Sequence, residues 1–305
     1  MPDWKSLLEE TNSVGGGHDV VRRKYLRRLT KLTGRNTIAY YSGWLQKPEL
    51  ERHGVNFGLH DGDKNAFMAT IHRLDKKLGL DLILHTPGGS IAATESIVDY
   101  LRKMFGTDIR AIVPQIAMSA GTMIALSCNK ILMGKHSSLG PIDPQFGPIP
   151  AHGVVEEFET AKREIALDPA TIPVWQAILS KYDPTLIGEC QKAIKWSNEM
   201  VGQWLESGMF VGRKNAKALA AKVVTELGTH ALTLSHGRHV SIDAAKLLGL
   251  DIISLEDDQK VQDAVLSVHH AFVLTLTGTA AFKITENQKG IAFINQAQPM
   301  MLASR

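Results

Sequence analysis

Apolar and polar positions follow two patterns along the middle of the chain. Short continuous apolar runs at Leu80–Leu84, Ile109–Val113 and Ile131–Met133 predict buried strands. Apolar residues at helical spacing predict helices before, between and after them: Asn65–Lys77, Ile91–Phe105 and Ser119–Asn129. Strands that alternate with helices of this length predict βαβ units, a parallel sheet and right-handed crossovers, hence an α/β fold.

The flanking segments have other patterns. Thr37–Ser42 is rich in Ile and Tyr and predicts a further strand. The tail, Gln259–Arg305, is predicted to begin with a long helix and to end in an irregular segment. The predicted organisation has four parts: a basic helical N-terminal arm (1–35), an α/β core (36–153), a mostly helical segment (154–228), and a return to the core followed by a C-terminal helix and tail (229–305).

Two helix starts carry local signals. Asp183 followed by Pro184 predicts a helix start, with an N-cap and then proline at the first position. Ser241 predicts the cap of a short helix, Ile242–Leu248, and Gly249 its end.

Composition narrows the class of protein. The chain has 305 residues, of which 44% are hydrophobic and 21% charged, so a disordered chain is excluded. Its two cysteines exclude a disulfide framework and a four-cysteine zinc site. The formal net charge of +3 gives no reason to expect a nucleic-acid partner.

One basic cluster stands out near the N-terminus. It could bind phosphates or anionic lipid, or it could be a solvated helix face or an interdomain contact. A membrane contact therefore stays open but unsupported. The cluster consists of Arg22, Arg23, Lys24, Arg27, Arg28 and Lys31.

The expected location is the cytoplasm. Residues Met1 to Gly17 are polar and acidic and contain no apolar signal-peptide region. Ala111–Asn129 and Ala264–Phe282 lack Asp, Glu, Lys and Arg, but both are too polar for a membrane span and are interpreted as buried core segments.

Residues 85–90, His-Thr-Pro-Gly-Gly-Ser, form a turn at the carboxyl end of a predicted strand. Ligands of open parallel sheets bind at this end. Two glycines let the backbone approach a reacting group and present its N–H groups to it. The segment suits an oxyanion hole or a phosphate cradle, although a simple strand–helix turn has the same sequence requirements.

Residues 117–121, Ala-Met-Ser-Ala-Gly, follow the strand Ile109–Val113 and lead into an apolar helix. Ser119 would lie at the helix N-terminus, where the helix dipole favours developing negative charge. It is either a nucleophile on a sharp turn or an ordinary N-cap serine.

Together the two turns resemble those of the ClpP/crotonase superfamily, and more narrowly the signal peptide peptidase A type (S49-like) of serine peptidase. The run from His85 to Gln145, including Ser137–Gln145, is most similar to the SDH-type (serine dehydrogenase proteinase) family of Clp-fold peptidases. Gly237-Arg238-His239 and the segment 244–250 also resemble the end of the peptidase core. The similarity covers roughly residues 60–290. It implies a ClpP/crotonase-like repeated ββα core with a mostly helical insertion and a helical C-terminal segment.

The resemblance implies roles for particular residues. Ser119 would be the nucleophile of an ATP-independent endopeptidase acting on polypeptides, and the protein would form a homo-oligomer in which neighbours complete the sites. The oxyanion hole would be formed by backbone N–H groups of Gly88, Gly89 and Ala120. The pocket would include His85, Ser90 and Met118.

The general base is less directly indicated. The histidine that follows the serine in Clp proteases aligns with Asp143, which argues against a Clp-type triad. S49-like peptidases use a lysine instead, and Lys162 follows Ser119 at about the expected spacing. A buried lysine can lose its proton near neutral pH. Lys162 borders an apolar helical stripe, so it is either this base or a structural lysine that covers apolar surface. Arg163 and Lys135 are weaker candidates.

Other chemistries lack their sequence motifs. There is no HExxH or Cys/His zinc spacing, no GxxxxGK[ST] and no GxGxxG, so neither a metal nor a cofactor is expected. Two alternatives keep the fold. One is a catalytically inactive oligomeric scaffold or adaptor that uses residues 154–228 as a partner surface. The other is a crotonase-like enzyme acting on acyl-CoA thioesters.

Overall fold

The computed structural model describes residues 4–13, 17–147 and 149–297. Within them, seven strands form the main sheet, in the order β10-β5-β3-β2-β1-β11-β12. Two small sheets accompany it, β4-β6-β9 and β7-β8. The strands are β1 (Asn36–Ser42), β2 (Leu80–His85), β3 (Ile109–Val113), β4 (Ile116–Ala117), β5 (Lys130–Met133), β6 (Ser138–Leu139), β7 (Gln145–Phe146), β8 (Ile149–Pro150), β9 (Val240–Ser241), β10 (Ile252–Ser254), β11 (Ala281–Asn287) and β12 (Ala292–Gln296).

Helices occupy the connections between strands, and short 3-10 turns lie at 48–53, 76–78, 169–171 and 255–257. The helices are α1 (Trp4–Ser13), α2 (Gly17–Thr33), α3 (Gly62–Ile71), α4 (Ile91–Phe105), α5 (Ala120–Ser127), α6 (Ala151–Leu167), α7 (Ile172–Leu179), α8 (Leu186–Ser207), α9 (Ala216–Gly228), α10 (His230–Thr233), α11 (Ile242–Leu247) and α12 (Gln259–Gly278). No helix of the described segments is both long and apolar enough to cross a membrane.

The main sheet separates two hydrophobic cores. Successive residues of a strand point to opposite faces, so Leu82 and Leu84 pack under α3, α4, α5, α8 and α9, whereas Ile83 packs under α2 and α12. Strands β10, β5, β3, β2 and β1 are parallel. The α/β fold expected from the sequence is therefore confirmed as a three-layer arrangement, and the carboxyl ends of its parallel strands lie along one edge.

The central strands and helices agree with the sequence prediction. Helix α4 and strand β3 have the predicted bounds. The helix predicted over Asn65–Lys77 is shorter: α3 ends at Ile71, because His72 leaves the helical region and Arg73 has φ of +58°. Charged residues follow, and a 3-10 turn that Asp75 caps precedes β2.

The helix-start signals have mixed outcomes. Ser241 caps α11 as expected, since its hydroxyl accepts a hydrogen bond from the amide of Ala244. The start predicted at Asp183-Pro184 is two residues early. Thr185 has φ of +77° and α8 begins at Leu186, because the left-handed residue interrupts helical geometry after the proline.

The irregular C-terminal tail predicted from the sequence is wrong for residues 281–296. They form β11, antiparallel to β1, and β12, antiparallel to β11. The sequence pattern does not indicate this hairpin, because Lys283 and Glu286 are buried in β11 and interrupt the alternation of apolar and polar residues that is typical of a strand. Residues 298–305, the end of the predicted tail, lie outside the described residues.

The N-terminal segment is a layer of the core. Leu26 and Leu29 of α2 are buried in the cluster that α12 covers. Arg22 of the basic cluster is buried and its Nε donates a hydrogen bond to Glu286 of β11 at 2.7 Å. Residues 1–3 and 14–16 of the predicted arm lie outside the described residues.

Candidate active site

The two turns that the sequence singles out are joined by backbone hydrogen bonds. Thr86 follows β2 and forms a parallel bridge with Ala117 of β4. The amide of Thr86 donates to the carbonyl of Ile116 at 3.3 Å, and the amide of Met118 donates to the carbonyl of Thr86 at 3.0 Å. The 85–90 turn and the 117–121 turn therefore meet at the carboxyl ends of the parallel strands, where α/β sheets bind ligands.

Ser119 has an uncommon backbone conformation. Its φ is +48° and its ψ is −113°, and such values in a residue other than glycine store strain. Although Ser119 occupies the N-cap position of α5, its side chain makes no capping hydrogen bond, so the N-cap alternative is wrong. Within the described residues its hydroxyl has no hydrogen-bond partner. The turn thus presents an unused hydroxyl at a helix N-terminus, as in a nucleophile elbow.

Two glycines of the 85–90 turn allow close backbone packing around Ser119. Gly88 has φ of +116°, and a Cβ on it would lie 2.6 Å from the Cβ of Ser119. Gly89 has φ of +152°, and a Cβ there would lie 2.2 Å from the backbone nitrogen of Leu59. Leu59 approaches so closely because it exchanges hydrogen bonds with the carbonyl of Gly88 and the amide of Ser90.

Backbone amides beside Ser119 are available as donors. Among the described residues, neither the Gly89 amide nor the Ala120 amide has a hydrogen-bond acceptor. The Gly88 amide is different, because it already donates to Oγ1 of Thr86 at 3.2 Å. Ala120 begins α5, so the positive end of the helix dipole adds to its N–H. The arrangement can stabilise an anion next to Ser119 through Gly89 and Ala120.

The loop behind Ser119 is fixed by a threonine. Thr122 Oγ1 donates to the carbonyl of Ala117 at 2.8 Å and accepts from the amide of Gly140 at 2.8 Å. Met118 packs against Gly140, since a Cβ there would be 2.6 Å from the methionine methyl group. These contacts hold the 117–121 turn against the segment that leads to Asp143.

A cavity of about 680 Å³ opens at Ser119. Gly89 and Ser119 line it at one side, and α8 contributes Glu189, Lys192 and Trp196. The Lys192 ammonium donates to Glu189 Oε1 at 2.8 Å. The cavity is large enough for several residues of a peptide and has apolar and charged walls.

A carboxylate–histidine pair lies on the same cavity. Both Asp143 and His236 line it. The Asp143 side chain is fully buried; its Oδ1 lies 2.8 Å from Nδ1 of His236, and its Oδ2 accepts from Nε2 of Gln145 at 2.7 Å. The sequence contained both residues but gave no reason to pair them, because 93 positions separate them. The one signal was Asp143 standing where Clp proteases have a histidine.

Lys162 is not at this cavity in the chain itself. It lies on α6 with 66% of its side chain exposed, and its Nζ donates to Glu159 Oε1 at 2.7 Å. It is absent from the residues that line the Ser119 cavity. The base role predicted from the sequence expects a buried lysine, and Lys162 is exposed within one chain. The Ser119–Lys162 dyad stays a prediction.

The three other residues predicted to line the pocket lie in three different parts of the structure. Ser90 lines the cavity and caps α4, accepting from the amide of Ala93. Met118 is buried behind Ser119. His85 is fully buried on the other face of the sheet, against the rings of Tyr41 and Trp44, and does not line the cavity.

His85 has no hydrogen-bond partner for either ring nitrogen within the described residues. Burial lowers the pKa of its ring to about 3, so the ring is neutral at physiological pH. The described part of the chain contains no group of three or more His, Cys, Asp and Glu residues that could hold a metal ion.

Comparison with known proteins assigns most of the chain to one family. The family model of ClpP-like SDH-type serine proteinases matches residues 21–267. The chain belongs to this family. The match includes both turns, α6 and the Asp143–His236 pair, so the family resemblance expected from the sequence is confirmed.

Two curated relatives of this SDH-type chain come from Methanocaldococcus jannaschii. The uncharacterized protein MJ0137 is 34% identical over 190 residues, which cover 62% of this chain and 59% of the relative. The uncharacterized protein MJ1495 is 32% identical over 183 residues, covering 59% and 57%. The chain thus spans less than three fifths of the length of these relatives, whose names assign no activity.

Proposed function

We propose that this protein is a serine peptidase that cleaves peptide bonds of polypeptides through an acyl-enzyme on Ser119. One observation carries the proposal: the strained Ser119 lies at the N-cap position of α5 without making a capping bond, beside two amides that have no acceptor among the described residues. This geometry suits attack on a carbonyl better than it suits a structural turn. Membership of the SDH-type serine proteinase family supports the same chemistry.

The residues have distinct roles in this proposal. Oγ of Ser119 bonds to the peptide carbonyl carbon while its hydroxyl proton passes to the general base, and the N–H groups of Gly89 and Ala120 hold the resulting oxyanion. Such donors contribute roughly 3–4 kcal/mol each in serine hydrolases. The C–N bond then breaks as the base gives this proton to the leaving amine. Water adds to the acyl carbon and loses a proton to the base, which returns it to Oγ as the acyl–oxygen bond breaks and the acyl group leaves as a carboxylic acid. Gly88 acts through its missing Cβ, since its own amide is engaged by Thr86.

The Ser119–Lys162 dyad belongs to this proposal in one form, in which a neighbouring copy delivers Lys162 to the cavity. An exposed lysine on α6 is compatible with that arrangement. Mixing the inactive variants S119A and K162A tests it, because the mixed oligomer would regain activity if serine and lysine come from different copies. No regain would exclude an intermolecular dyad.

The predicted homo-oligomer has one supporting observation. Helix α7 contains no buried residue although it is mostly apolar, and Leu167, Ile172 and Val174 are exposed around it. Large exposed apolar patches mark interaction surfaces, and we propose a second copy as the occupant. Light scattering should show a smaller assembly for V174E than for the wild type and the control K181E. Unchanged mass for V174E would remove α7 from the interface.

Intact-protein mass after treatment with a fluorophosphonate tests the proposed function. We expect one adduct on the wild type and on S207A, a control serine at the exposed end of α8, and none on S119A. A folded wild type without an adduct would contradict the proposal and favour the inactive scaffold. Tight binding of coenzyme A would instead favour an acyl-CoA enzyme. Cytoplasmic location remains part of the proposal, to be tested by cell fractionation.

A further inference from the structure

A buried ion pair lies next to the segment that packs against the 85–90 turn. Lys283 of β11 and Asp63 of α3 have side chains that are only 1% and 4% exposed, and Nζ of Lys283 lies 3.1 Å from Oδ2 of Asp63. Burying two charges is costly even when they pair. The hydrogen bonds of both side chains converge on residues 58–60, here called the 58–60 segment.

The ion pair holds this segment at two points. Nζ of Lys283 donates to the carbonyl of Gly58 at 2.7 Å, and Oδ2 of Asp63 accepts from the amide of His60 at 2.9 Å. The segment belongs to none of the helices and strands named above, so its position depends on individual contacts. The two anchored groups flank Leu59 in the chain.

Leu59 fixes the orientation of the peptide group between Gly88 and Gly89. The amide of Leu59 donates to the carbonyl of Gly88 at 2.7 Å. The C=O and N–H groups of a planar trans peptide point in opposite directions, so this bond directs the Gly89 N–H away from Leu59. Gly89 lines the Ser119 cavity. A second bond, from the amide of Ser90 to the carbonyl of Leu59 at 2.8 Å, holds the other side of Gly89.

The two glycines make this external support important. Gly88 and Gly89 have φ of +116° and +152°, and glycine has more accessible backbone conformations than any other residue. If the peptide between them rotated, its carbonyl would face the cavity in place of its N–H, and an oxyanion would meet another oxygen. The bonds to Leu59 oppose this rotation, and the ion pair keeps Leu59 in place.

Joining β11 to α3 does not by itself account for the ion pair. Asn287 lies on the same face of β11 as Lys283, and its Nδ2 already donates to the carbonyl of Thr70 of α3 at 2.6 Å. Lys283 instead divides its hydrogen bonds between Asp63 and the carbonyl of Gly58. The second of these bonds reaches the 58–60 segment and not the helix.

We propose that Lys283 and Asp63 are positioning residues for the oxyanion hole: they anchor the 58–60 segment, and Leu59 transmits this order to the peptide that carries the Gly89 N–H. The inference rests on the proposed function. Neither Lys283 nor Asp63 lines the cavity, so loss of the pair should leave the binding of a reagent unchanged. It should weaken the stabilisation of charge that develops in the transition state, and so slow the chemical step.

Saturation kinetics of fluorophosphonate labelling test the inference, with K283M/D63N as the variant. Replacing both charges leaves no unpaired ion in the core. We expect the maximal rate constant for labelling Ser119 to fall roughly 10–100-fold. The reagent concentration at half-saturation should stay within about threefold of the wild type, a split that general damage to the cavity would not produce.

Hydrogen exchange follows the same contacts without relying on activity. The amides of Leu59 and Ser90 donate the two bonds between the 58–60 segment and the 85–90 turn. Mass spectrometry of peptides that contain them should show at least about tenfold faster exchange in K283M/D63N, because loss of the anchor favours local opening.

The matched control is R22M/E286Q. It neutralises the other buried ion pair of β11, which lies on the opposite face of the sheet. None of the described hydrogen bonds of Arg22 or Glu286 reaches the 58–60 segment. This variant should lose stability but keep the maximal labelling rate, and the exchange at Leu59 and Ser90, within about threefold of the wild type.

The outcomes separate this inference from the proposed function. Wild-type labelling or wild-type exchange in K283M/D63N, or equal slowing in both double variants, would overturn the inference while labelling of Ser119 in the wild type upholds the function. If K283M/D63N does not fold, D63N alone decides: a neutral oxygen accepts more weakly than a carboxylate, so labelling should slow several-fold, and a wild-type rate would overturn the inference. A wild type that does not label would contradict the proposed function and this inference together.

Discussion

The ideal Cβ position of Gly88 lies 2.6 Å from the Cβ of Ser119. No side chain at position 88 can therefore coexist with Ser119 in its present place. We expect G88A to displace the 117–121 turn and to slow fluorophosphonate labelling of Ser119 by at least roughly tenfold, since small misplacements of reacting groups have large effects on rate.

The control for G88A is G106A. Gly106 also has positive φ, +62°, but its Cβ would meet nothing within 4 Å. It should lose about 1 kcal/mol of stability and keep the labelling rate. Equal labelling by G88A and the wild type would show that the 85–90 turn does not constrain Ser119.

Gly89 should matter more for folding than Gly88. Its Cβ would lie 2.2 Å from the nitrogen and 2.3 Å from the oxygen of Leu59, which are backbone atoms. We expect G89A to lower the free energy of unfolding by several kcal/mol, roughly 3 or more, because a backbone bridge must separate. Urea unfolding compared with G106A measures this. If G89A lowers the free energy of unfolding no more than G106A does, the backbone bridge between Gly89 and Leu59 contributes little to stability.

The strain at Ser119 predicts a conflict between stability and activity. Glycine adopts φ of +48° without steric penalty, whereas alanine keeps the Cβ of serine. Both S119G and S119A lose the nucleophile, but S119G should be more stable than S119A by about 1 kcal/mol. Thermal unfolding of the pair decides this. A less stable S119G would show that the turn stores no strain.

His85 should make the protein sensitive to acid. Its folded-state pKa is about 3, below the value of about 6.5 expected when unfolded. The unfolded chain therefore binds the extra proton, and this contribution to stability is present above about pH 6.5 and lost as the pH falls toward 3. H85F keeps a ring against Tyr41 and Trp44 but cannot be protonated.

Urea unfolding at pH 6.5 and 4.5 measures that difference. Between these pH values H85F should lose roughly 2–3 kcal/mol less than the wild type. Burial also lowers the pKa of His269, which both proteins retain. Parallel pH dependence for the two proteins would contradict the assignment to His85.

The pair of Arg22 and Glu286 joins the two ends of the fold. Glu286 is buried and accepts from Nε of Arg22 at 2.7 Å and from Nε of Arg23 at 2.9 Å. R22A should lower the free energy of unfolding by roughly 3–5 kcal/mol, because a buried carboxylate loses a partner. The exposed pair of Lys103 and Asp99 supplies the control, and K103A should lose less than about 1 kcal/mol. Similar losses for both variants would overturn the prediction.

The sequence predicts elements well where burial follows a local period. Strand β3 and helix α4 have apolar positions at the spacing of their own structure, so even their bounds are recovered. Strand β11 lacks such a pattern, because its buried residues include Lys283, whose ammonium lies 3.1 Å from the carboxylate of Asp63. Lys283 and its partner are 220 positions apart. The sequence alone therefore does not show whether such a charged side chain is buried next to a partner or exposed to solvent.

The same limit applies to the candidate site. Ser119 and its neighbouring amides lie on two local turns, so short motifs indicate them. The pairing of Asp143 with His236 depends on α8, α9 and α10 bringing two loops together, and no short segment of sequence encodes that contact. Lys162 is predicted from the resemblance to S49-like peptidases and from its spacing to Ser119, and neither determines where the Lys162 side chain lies in the folded chain.

The position of β11 beside β1 has a consequence for biosynthesis. On the ribosome, strands β1, β2, β3 and β5 are available early, but one hydrogen-bonding edge of β1 has no strand until residues 281–287 emerge. Unpaired strand edges promote aggregation, and contacts as distant as the 264 positions between Arg22 and Glu286 form slowly. The nascent chain thus has an open sheet edge for most of its synthesis, and during that time pairing with other chains competes with folding.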